Sequence, residues 1–103
     1  MEFRWSKAEK KIAKQAFDLA YKRKCQKIIE QIKKRKLSNN EDIWTLGDYI
    51  HKKRKEIDRK FDYRYSQLIL VFSTFIKENL LSLEDLAGLN NEKIDTINKI
   101  LKL

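Results

Sequence analysis

The sequence predicts an all-α protein on the strength of three observations. Proline is absent and glycine occurs only twice in 103 residues, whereas all-β folds depend on turns that these two residues build. Apolar residues recur at spacings of three and four along most of the chain, which is the period of an amphipathic helix. Hydrophobic residues make up 42% of the chain, enough to form a core. At this length we expect a single helical domain over residues 1–103.

The first predicted helix covers about residues 6–35. Ser6 is followed three residues later by Glu9, the capping-box pattern that begins a helix. The apolar positions that follow lie on one stripe of a helix. They are Ala8, Ile12, Ala16, Leu19, Ala20, Cys25, Ile28, Ile29 and Ile32.

The second predicted helix covers about residues 41–79. The stretch before it, residues 37–42, contains Ser, Asn and acidic residues that favour a helix start. The apolar spacing is interrupted once, between Ile50 and Ile57, where Lys53 or Arg54 occupies the stripe. The stripe comprises Ile43, Leu46, Ile50, Ile57, Phe61, Tyr65, Leu68, Phe72, Phe75 and Ile76.

The length of this second helix has a consequence for assembly. A helix of roughly 38 residues is about 57 Å long, whereas a compact domain of 100 residues has a radius of gyration of about 13 Å. Either the helix is broken, at Gly47 or within residues 51–55, or a second protomer covers its stripe. We favour the second interpretation, because the apolar spacing resumes in phase, and we expect an elongated antiparallel homodimer. Its predicted interface and core residues are Ile43, Leu46, Ile50, Ile57, Phe61, Tyr65, Leu68 and Phe72.

Residues 82–103 are predicted to form a small C-terminal helical head. Ser82 and Asp85 repeat the capping-box spacing, and Gly88 ends the short helix that they begin. Asn90 then caps a last helix.

The charge is strongly basic but unevenly placed. The chain has 24 Lys or Arg and 15 Asp or Glu, a formal net charge of +9. Residues 1–36 hold 13 Lys or Arg and 4 Asp or Glu, so the whole excess lies there. One interpretation is a solvated helix face, and the other is a patch for nucleic acid or an acidic partner. No aromatic residue interrupts the densest cluster, residues 33–36, as stacking on single-stranded nucleic acid would require.

The composition argues against enzyme chemistry. With Cys25 and His51 as the single residues of their types, neither a disulfide framework, a zinc site nor a histidine-based triad is expected. The carboxylates are spaced for helical ion pairs, such as Glu56 with Lys60 and Asp58 with Arg54. We therefore predict a non-enzymatic protein without metal or cofactor.

The sequence favours a cytoplasmic location without membrane insertion. The longest apolar run, residues 68–72, is too short to span a bilayer. Residues 1–7 lack the apolar core of a signal peptide.

A partner-binding patch is predicted around Trp44, Asp48 and Arg54. Trp44 and Asp48 are four residues apart and share a helix face. Arg54 replaces an apolar residue on the stripe, and Trp and Arg are enriched at binding hot spots. The alternative interpretation is a structural ion pair at a dimer seam.

The same region resembles the cyanobacterial fluorescence recovery protein family. The resemblance is carried by residues 43–50, IWTLGDYI, and residues 53–64, KRKEIDRKFDYR. They fit the pattern Trp-x-Leu-x-Asp followed by Lys-Arg-x-Glu-Ile-Asp-x-Lys-aromatic-Asp-x-Arg. Trp5-Ser6 and Ala8-Glu9 fit at the front, whereas Gly47 departs from the larger polar residue that is usual in the family.

This resemblance implies an all-helical homodimer without enzymatic chemistry. Members of the family bind the light-activated orange carotenoid protein and accelerate its return to the dark form, which ends non-photochemical quenching at the phycobilisome. The family's functional Trp, Asp and Arg match Trp44, Asp48 and Arg54. The alternatives are a dimer of this fold with another partner, in a host without carotenoid photoprotection, and a small basic helical protein that binds nucleic acid.

Overall fold

A computed structural model describes residues 2–103, in which every regular element is helical. The helices are α1 (Lys7–Lys33), α2 (Asn40–Lys60), α3 (Leu68–Lys77) and α4 (Asn91–Leu101). A 3-10 turn, Leu83–Leu86, lies between α3 and α4. The molecule is elongated, with principal extents of 53 × 28 × 21 Å. None of the helices described is long and apolar enough to cross a membrane.

Helices α1, α2 and α4 begin at side-chain caps, whereas α3 follows Gln67 without one. The backbone N–H of Glu9 donates to Ser6 Oγ at 3.1 Å, and the backbone N–H of Ser6 donates to Glu9 Oε1, also at 3.1 Å. Ser82 and Asp85 form the second predicted capping box. A third box, between Asn39 and Asp42, begins α2. These caps satisfy backbone N–H groups that a helix leaves without an internal partner.

The prediction of one continuous helix over residues 41–79 is wrong. Helix α2 ends at Lys60, Phe61 leaves the helical conformation (φ −91°, ψ 74°), and α3 begins at Leu68. The chain does break, but neither at Gly47 nor within residues 51–55, all of which lie inside α2.

Burial explains the position of this break. The turn lets α3 fold back onto α1, so that Leu68, Phe72 and Phe75 are all 0% exposed. Phe61 and Tyr63, at the start of the turn, pack on Phe17 with ring centroids 5.5 and 4.9 Å away. A straight helix would have left these aromatic side chains in water, and burying each one contributes roughly 1.5–3 kcal/mol.

The core lies among α1, α3, the 3-10 turn and α4. Helix α1 contributes small residues, which let the neighbouring elements approach closely, and the other elements contribute large ones. The most deeply buried are Ala13, Ala16, Ala20, Leu68, Phe72, Phe75, Leu80, Leu86 and Ile97.

A buried ion pair joins the N-terminal segment to α4. Lys93 is 0% exposed, and its Nζ donates to Glu9 Oε2 at 3.0 Å and to the carbonyl oxygen of Arg4 at 2.6 Å. The ammonium also faces the rings of Trp5 and Phe3, 4.8 and 5.7 Å from their centroids. Aromatic faces and hydrogen bonds compensate in part for the loss of water around a buried charge.

The carboxylate of Glu9 stays ionised in this site. Burial alone raises the pKa of Glu9, but the backbone N–H groups of Asn90 and Ser6 and the ammonium of Lys93 outweigh it. Together they lower the pKa of Glu9 to about 2.

Part of the basic first third stabilises the fold. Arg23 donates to the carbonyl oxygen of Leu80 at 2.9 Å and to Asp85 at 2.8 Å. Lys27 donates to the carbonyl oxygen of Glu78 at 3.0 Å. These cations satisfy carbonyl groups just beyond the C-terminal end of α3, where a positive charge is favourable.

Candidate partner-binding face on α2

Helix α2 is the element least covered by its own chain. None of its 21 residues is buried. It runs antiparallel to α1, as three contacts show: Tyr21 packs on Phe61, Lys24 pairs with Glu56, and Arg35 lies over the ring of Tyr49. Contacts along one edge hold the hairpin together, and most of the α2 surface is open.

Glu56 is the electrostatic centre of this hairpin. It accepts from Lys24 at 3.0 Å and from Lys53 and Lys60 at 3.4 Å each. The hydrogen bond from Lys24, reinforced by the nearby ammonium charges, lowers the pKa of Glu56 to about 2 against the opposing effect of burial. The predicted Glu56–Lys60 pair is therefore confirmed, whereas the sequence alone gave no sign of Lys24.

The predicted pair between Asp58 and Arg54 is not formed. Both side chains are exposed, and neither makes an ion pair within residues 2–103. Asp48 likewise has no cationic partner within residues 2–103. Each of these charges is therefore free to meet a group on another molecule.

The three predicted partner-binding residues all lie on the surface of α2. Trp44 is 67% exposed, and Asp48 follows it one turn later. Arg54 lies beside an open groove of about 350 Å³ between α1 and α2, which Tyr21, Ile28, Ile50, Lys53, Ile57 and Asp58 also line. Asp48 instead lines a polar groove with His51, Lys52, Lys55, Glu56 and Arg59. A single chain thus presents the trio along one helix without bringing it into one pocket.

The predicted interface residues fall into two groups. Ile43 and Ile50 are 55% and 45% exposed, and Leu46 and Ile57 are half-buried. After the break, Leu68 and Phe72 are fully buried in the core of the single chain and Phe61 packs against it, whereas Tyr65 is 38% exposed. Tyr65 packs on Trp5 with ring centroids 5.8 Å apart.

Gly47 opens a gap in the exposed stripe. A Cβ atom built at this position would meet nothing within 4 Å. The conformation of Gly47 is helical, so neither the chain's own packing nor its backbone requires glycine here.

Cys25 and His51, the single residues of their types, lie on different helices. Cys25 is a half-buried free thiol on α1, and His51 is exposed on α2. No group of three or more metal-ligating side chains occurs among residues 2–103.

Comparison with known proteins identifies the family to which this fold belongs. A family model described as "Photoprotection regulator fluorescence recovery protein" matches residues 5–101. The chain belongs to this family. The fluorescence recovery protein of Synechocystis sp. (strain ATCC 27184 / PCC 6803 / Kazusa) is 34% identical over 101 residues, which cover 96% of this chain and 93% of that protein.

Two solved fluorescence recovery proteins share the fold. The structure from Fremyella diplosiphon aligns with a TM-score of 0.88 and 38% identity, covering 97% of this chain and 100% of the other. The structure from Synechocystis sp. PCC 6803 gives 0.86 and 34%, with the same coverage of each chain. The resemblance and the all-helical fold predicted from the sequence are thereby confirmed, and the chain is a fluorescence recovery protein-like regulator of photoprotection.

Proposed function

We propose that this chain binds the light-activated orange carotenoid protein and accelerates its return to the dark form, which ends non-photochemical quenching. It acts by binding and catalyses no chemical reaction. Under this proposal it works in the cytoplasm together with its client. Family membership supports the client, and the open surface of α2, with Trp44 67% exposed, is the observation that carries the binding role.

The mechanism is a change in conformational free energies. A binder that prefers the dark form shifts the population toward it by its difference in affinity for the two forms. To accelerate the return, the binder must also hold the barrier conformation more tightly than the activated form, as any catalyst of a conformational step must. A rigid helix surface with fixed charges can make that distinction.

Trp44, Asp48 and Arg54 form the proposed client-binding patch. An exposed Trp supplies a large apolar contact area and loses little side-chain entropy on binding, because it has few side-chain torsions. Asp48 and Arg54 supply opposite charges without an ion-pair partner among the described residues. Such charges fix the orientation of a partner and break no existing ion pair when they form a new one.

A second copy of the chain is the proposed cover for the exposed stripe. Ile43, Ile50 and Ile57 recur every seven residues, with Gly47 and Arg54 between them, which is the spacing of a two-stranded helical interface. Two antiparallel α2 helices related by a two-fold axis would present the same stripe to each other. The homodimer thus supplies the apolar burial that α2 lacks in the single chain.

The test is a dark-recovery assay. Purified orange carotenoid protein is activated with light, mixed with this chain, and followed in the dark by its absorption spectrum. We expect faster recovery with the unaltered chain, and a loss of about tenfold or more in Trp44→Leu, Asp48→Leu and Arg54→Leu, as expected for hot-spot residues.

Glu30→Leu is the matched control for Asp48→Leu, because Glu30 is an exposed acidic residue on α1 without a side-chain bond in the described chain. Unchanged recovery with the unaltered chain would contradict the proposed function. Equal losses in Asp48→Leu and Glu30→Leu would contradict the proposed patch.

A further inference from the structure

The basic excess of the first third is only partly used inside the chain. Lys14 pairs with Asp18, Lys24 pairs with Glu56, and Arg23 and Lys27 hold the turn after α3. Other basic residues of α1 are exposed and meet no acidic group within the described chain. Four of them, Lys7, Lys11, Lys22 and Lys33, form what we term the lysine row.

The lysine row follows one side of α1. Lys11, Lys22 and Lys33 are 11 residues apart in the sequence, close to three full helical turns or about 16.5 Å. Lys7 lies one turn before Lys11. The row faces away from Ala13, Ala16 and Ala20, the alanines that α1 buries in the core, and runs for about 39 Å along the helix.

One acidic residue interrupts this side of the helix, and it is already neutralised. Asp18 accepts from Lys14 at 3.0 Å. Ile29 lies on the same side, one turn before Lys33, and is 41% exposed. The row is therefore a line of free ammonium groups with an apolar side chain among them.

We propose that the lysine row is a docking surface for an acidic protein surface. Its function is to attract the acidic partner and increase the rate at which that partner reaches α2. The inference rests on the proposed function in one respect, namely that this partner is the client that α2 binds. Long-range attraction between opposite charges raises association rates more than it raises final affinity.

The geometry favours a protein over nucleic acid. Duplex DNA presents one negative charge per about 1.7 Å of axis, far denser than four ammonium groups spread over about 39 Å. The row contains no Arg, which binds phosphates through two hydrogen bonds, and no aromatic residue, which stacks on bases. An exposed Ile29 between lysines instead suits a protein interface, in which a polar rim surrounds apolar contacts.

The experiment compares two triple variants of equal charge. Lys11→Gln, Lys22→Gln and Lys33→Gln together remove three of the four charges of the row. Lys77→Gln, Lys99→Gln and Lys102→Gln remove the same charge from exposed positions on or just after α3 and α4, where these lysines make no ion pair in the described chain. Circular dichroism and thermal unfolding first establish that both variants remain folded.

Association with light-activated orange carotenoid protein is then followed by stopped flow. It is measured at about 0.01 M and about 0.15 M salt, where the Debye length is roughly 30 Å and 8 Å. We expect the row variant to associate about tenfold more slowly at low salt, with the difference shrinking at the higher salt. The control variant should differ from the unaltered chain by less than about twofold.

Poly-L-glutamate and a short DNA duplex provide a readout that does not depend on the client. We expect poly-L-glutamate to bind the unaltered chain and the control variant, and to lose about tenfold in affinity for the row variant. If the client fails to bind but poly-L-glutamate behaves in this way, the lysine row is supported and the proposed function fails.

Two results overturn the docking surface. One is equal behaviour of the row and control variants toward both the client and poly-L-glutamate. The other is DNA binding that persists at about 0.15 M salt and depends on the row, because the occupant would then be nucleic acid.

Discussion

Lys93 is completely buried against Glu9, with Nζ 3.0 Å from Glu9 Oε2, although the two residues lie 84 positions apart in the sequence. The pair ties the start of α1 to the start of α4, because Glu9 also accepts from the backbone N–H of Asn90 at 3.0 Å and belongs to the cap of α1. One carboxylate thus joins the start of α1, the start of α4 and a buried ammonium.

We expect Glu9→Ala to lower the free energy of unfolding by about 3–5 kcal/mol. Removing one partner leaves Lys93 charged and buried without its counterion. The double variant Glu9→Ala, Lys93→Met should recover more than about 1 kcal/mol of that loss, since it removes the orphaned charge. Urea unfolding of both single variants and the double variant measures this coupling, and additive losses would show that the two residues are independent.

Stability should fall as the pH drops below about 4.5. Glu9 and Glu56 have pKa values of about 2 in the folded chain, against 4.5 for a free carboxyl group. The unfolded chain therefore binds protons first, so the stabilisation is fully present above pH 4.5 and is lost as the pH falls toward about 2. The urea midpoint, measured between about pH 7 and pH 2, should show this decline. Glu9→Gln should flatten it, and an equally steep decline in that variant would exclude Glu9 as a source.

The two glycines should respond oppositely to alanine. Gly47→Ala should raise the free energy of unfolding by about 1 kcal/mol, because the position is helical and a Cβ atom there has open space. Gly88→Ala should lower it by about 2 kcal/mol, since φ is +103° and the new Cβ would lie 2.5 Å from Ile12 Cδ1. Thermal unfolding at one protein concentration compares the two, and a destabilised Gly47→Ala would mean that another molecule approaches this position closely.

Arg23 and Lys22 are adjacent in sequence but should differ in importance. We expect Arg23→Met to lower the free energy of unfolding by about 1–2 kcal/mol, because it frees the carbonyl of Leu80 and the carboxylate of Asp85. Lys22→Met is the matched control, with an expected change within about 0.5 kcal/mol, as its side chain is exposed. Chemical unfolding measures the free energy of unfolding of both variants. Equal losses would show that the bonds of Arg23 to Leu80 and Asp85 do not stabilise the fold.

The proposed dimer depends on the stripe of α2. Ile50→Glu places a charge at its centre, so we expect a sedimentation mass of one 12.5 kDa chain, whereas the unaltered protein should sediment as two. Ile29→Glu makes the same change at a residue of similar exposure on α1 and should leave the dimer intact. A single-chain mass for the unaltered protein at micromolar concentration would refute the dimer.

The sequence alone predicts the helical class, the caps and the family, because these features depend on local spacing and short motifs. Ser6 with Glu9 and Ser82 with Asp85 are recognisable since their partners lie three residues apart. The break after Lys60 is not recognisable, because the stripe continues in phase through the turn. Its cause is the packing of Phe61 on Phe17, a contact between residues far apart in the chain.

In the candidate site, too, short motifs can be read from the sequence and tertiary contacts cannot. A motif predicts Trp44, Asp48 and Arg54 as the binding patch, which stays a prediction, whereas no motif predicts the ion-pair partners of this region. Helical spacing suggests Asp58 for Arg54, whereas the structure leaves both unpaired and brings Lys24 of α1 to Glu56 instead. The acidic partner of a lysine depends on the relative orientation of two helices. That orientation is a property of the tertiary fold.

The turn at residues 61–67 separates α2 from the elements that follow it, and the two parts are stabilised in different ways. The core formed by α1, α3, the 3-10 turn and α4 lies within one chain, so its integrity is independent of how much protein is present. Helix α2 buries none of its side chains within the chain and is held to α1 along one edge, so under the proposed dimer further cohesion comes from a second molecule, by mass action. Dilution would therefore loosen α2 and leave the core folded, so the concentration of the protein itself would set the rigidity of its proposed binding face.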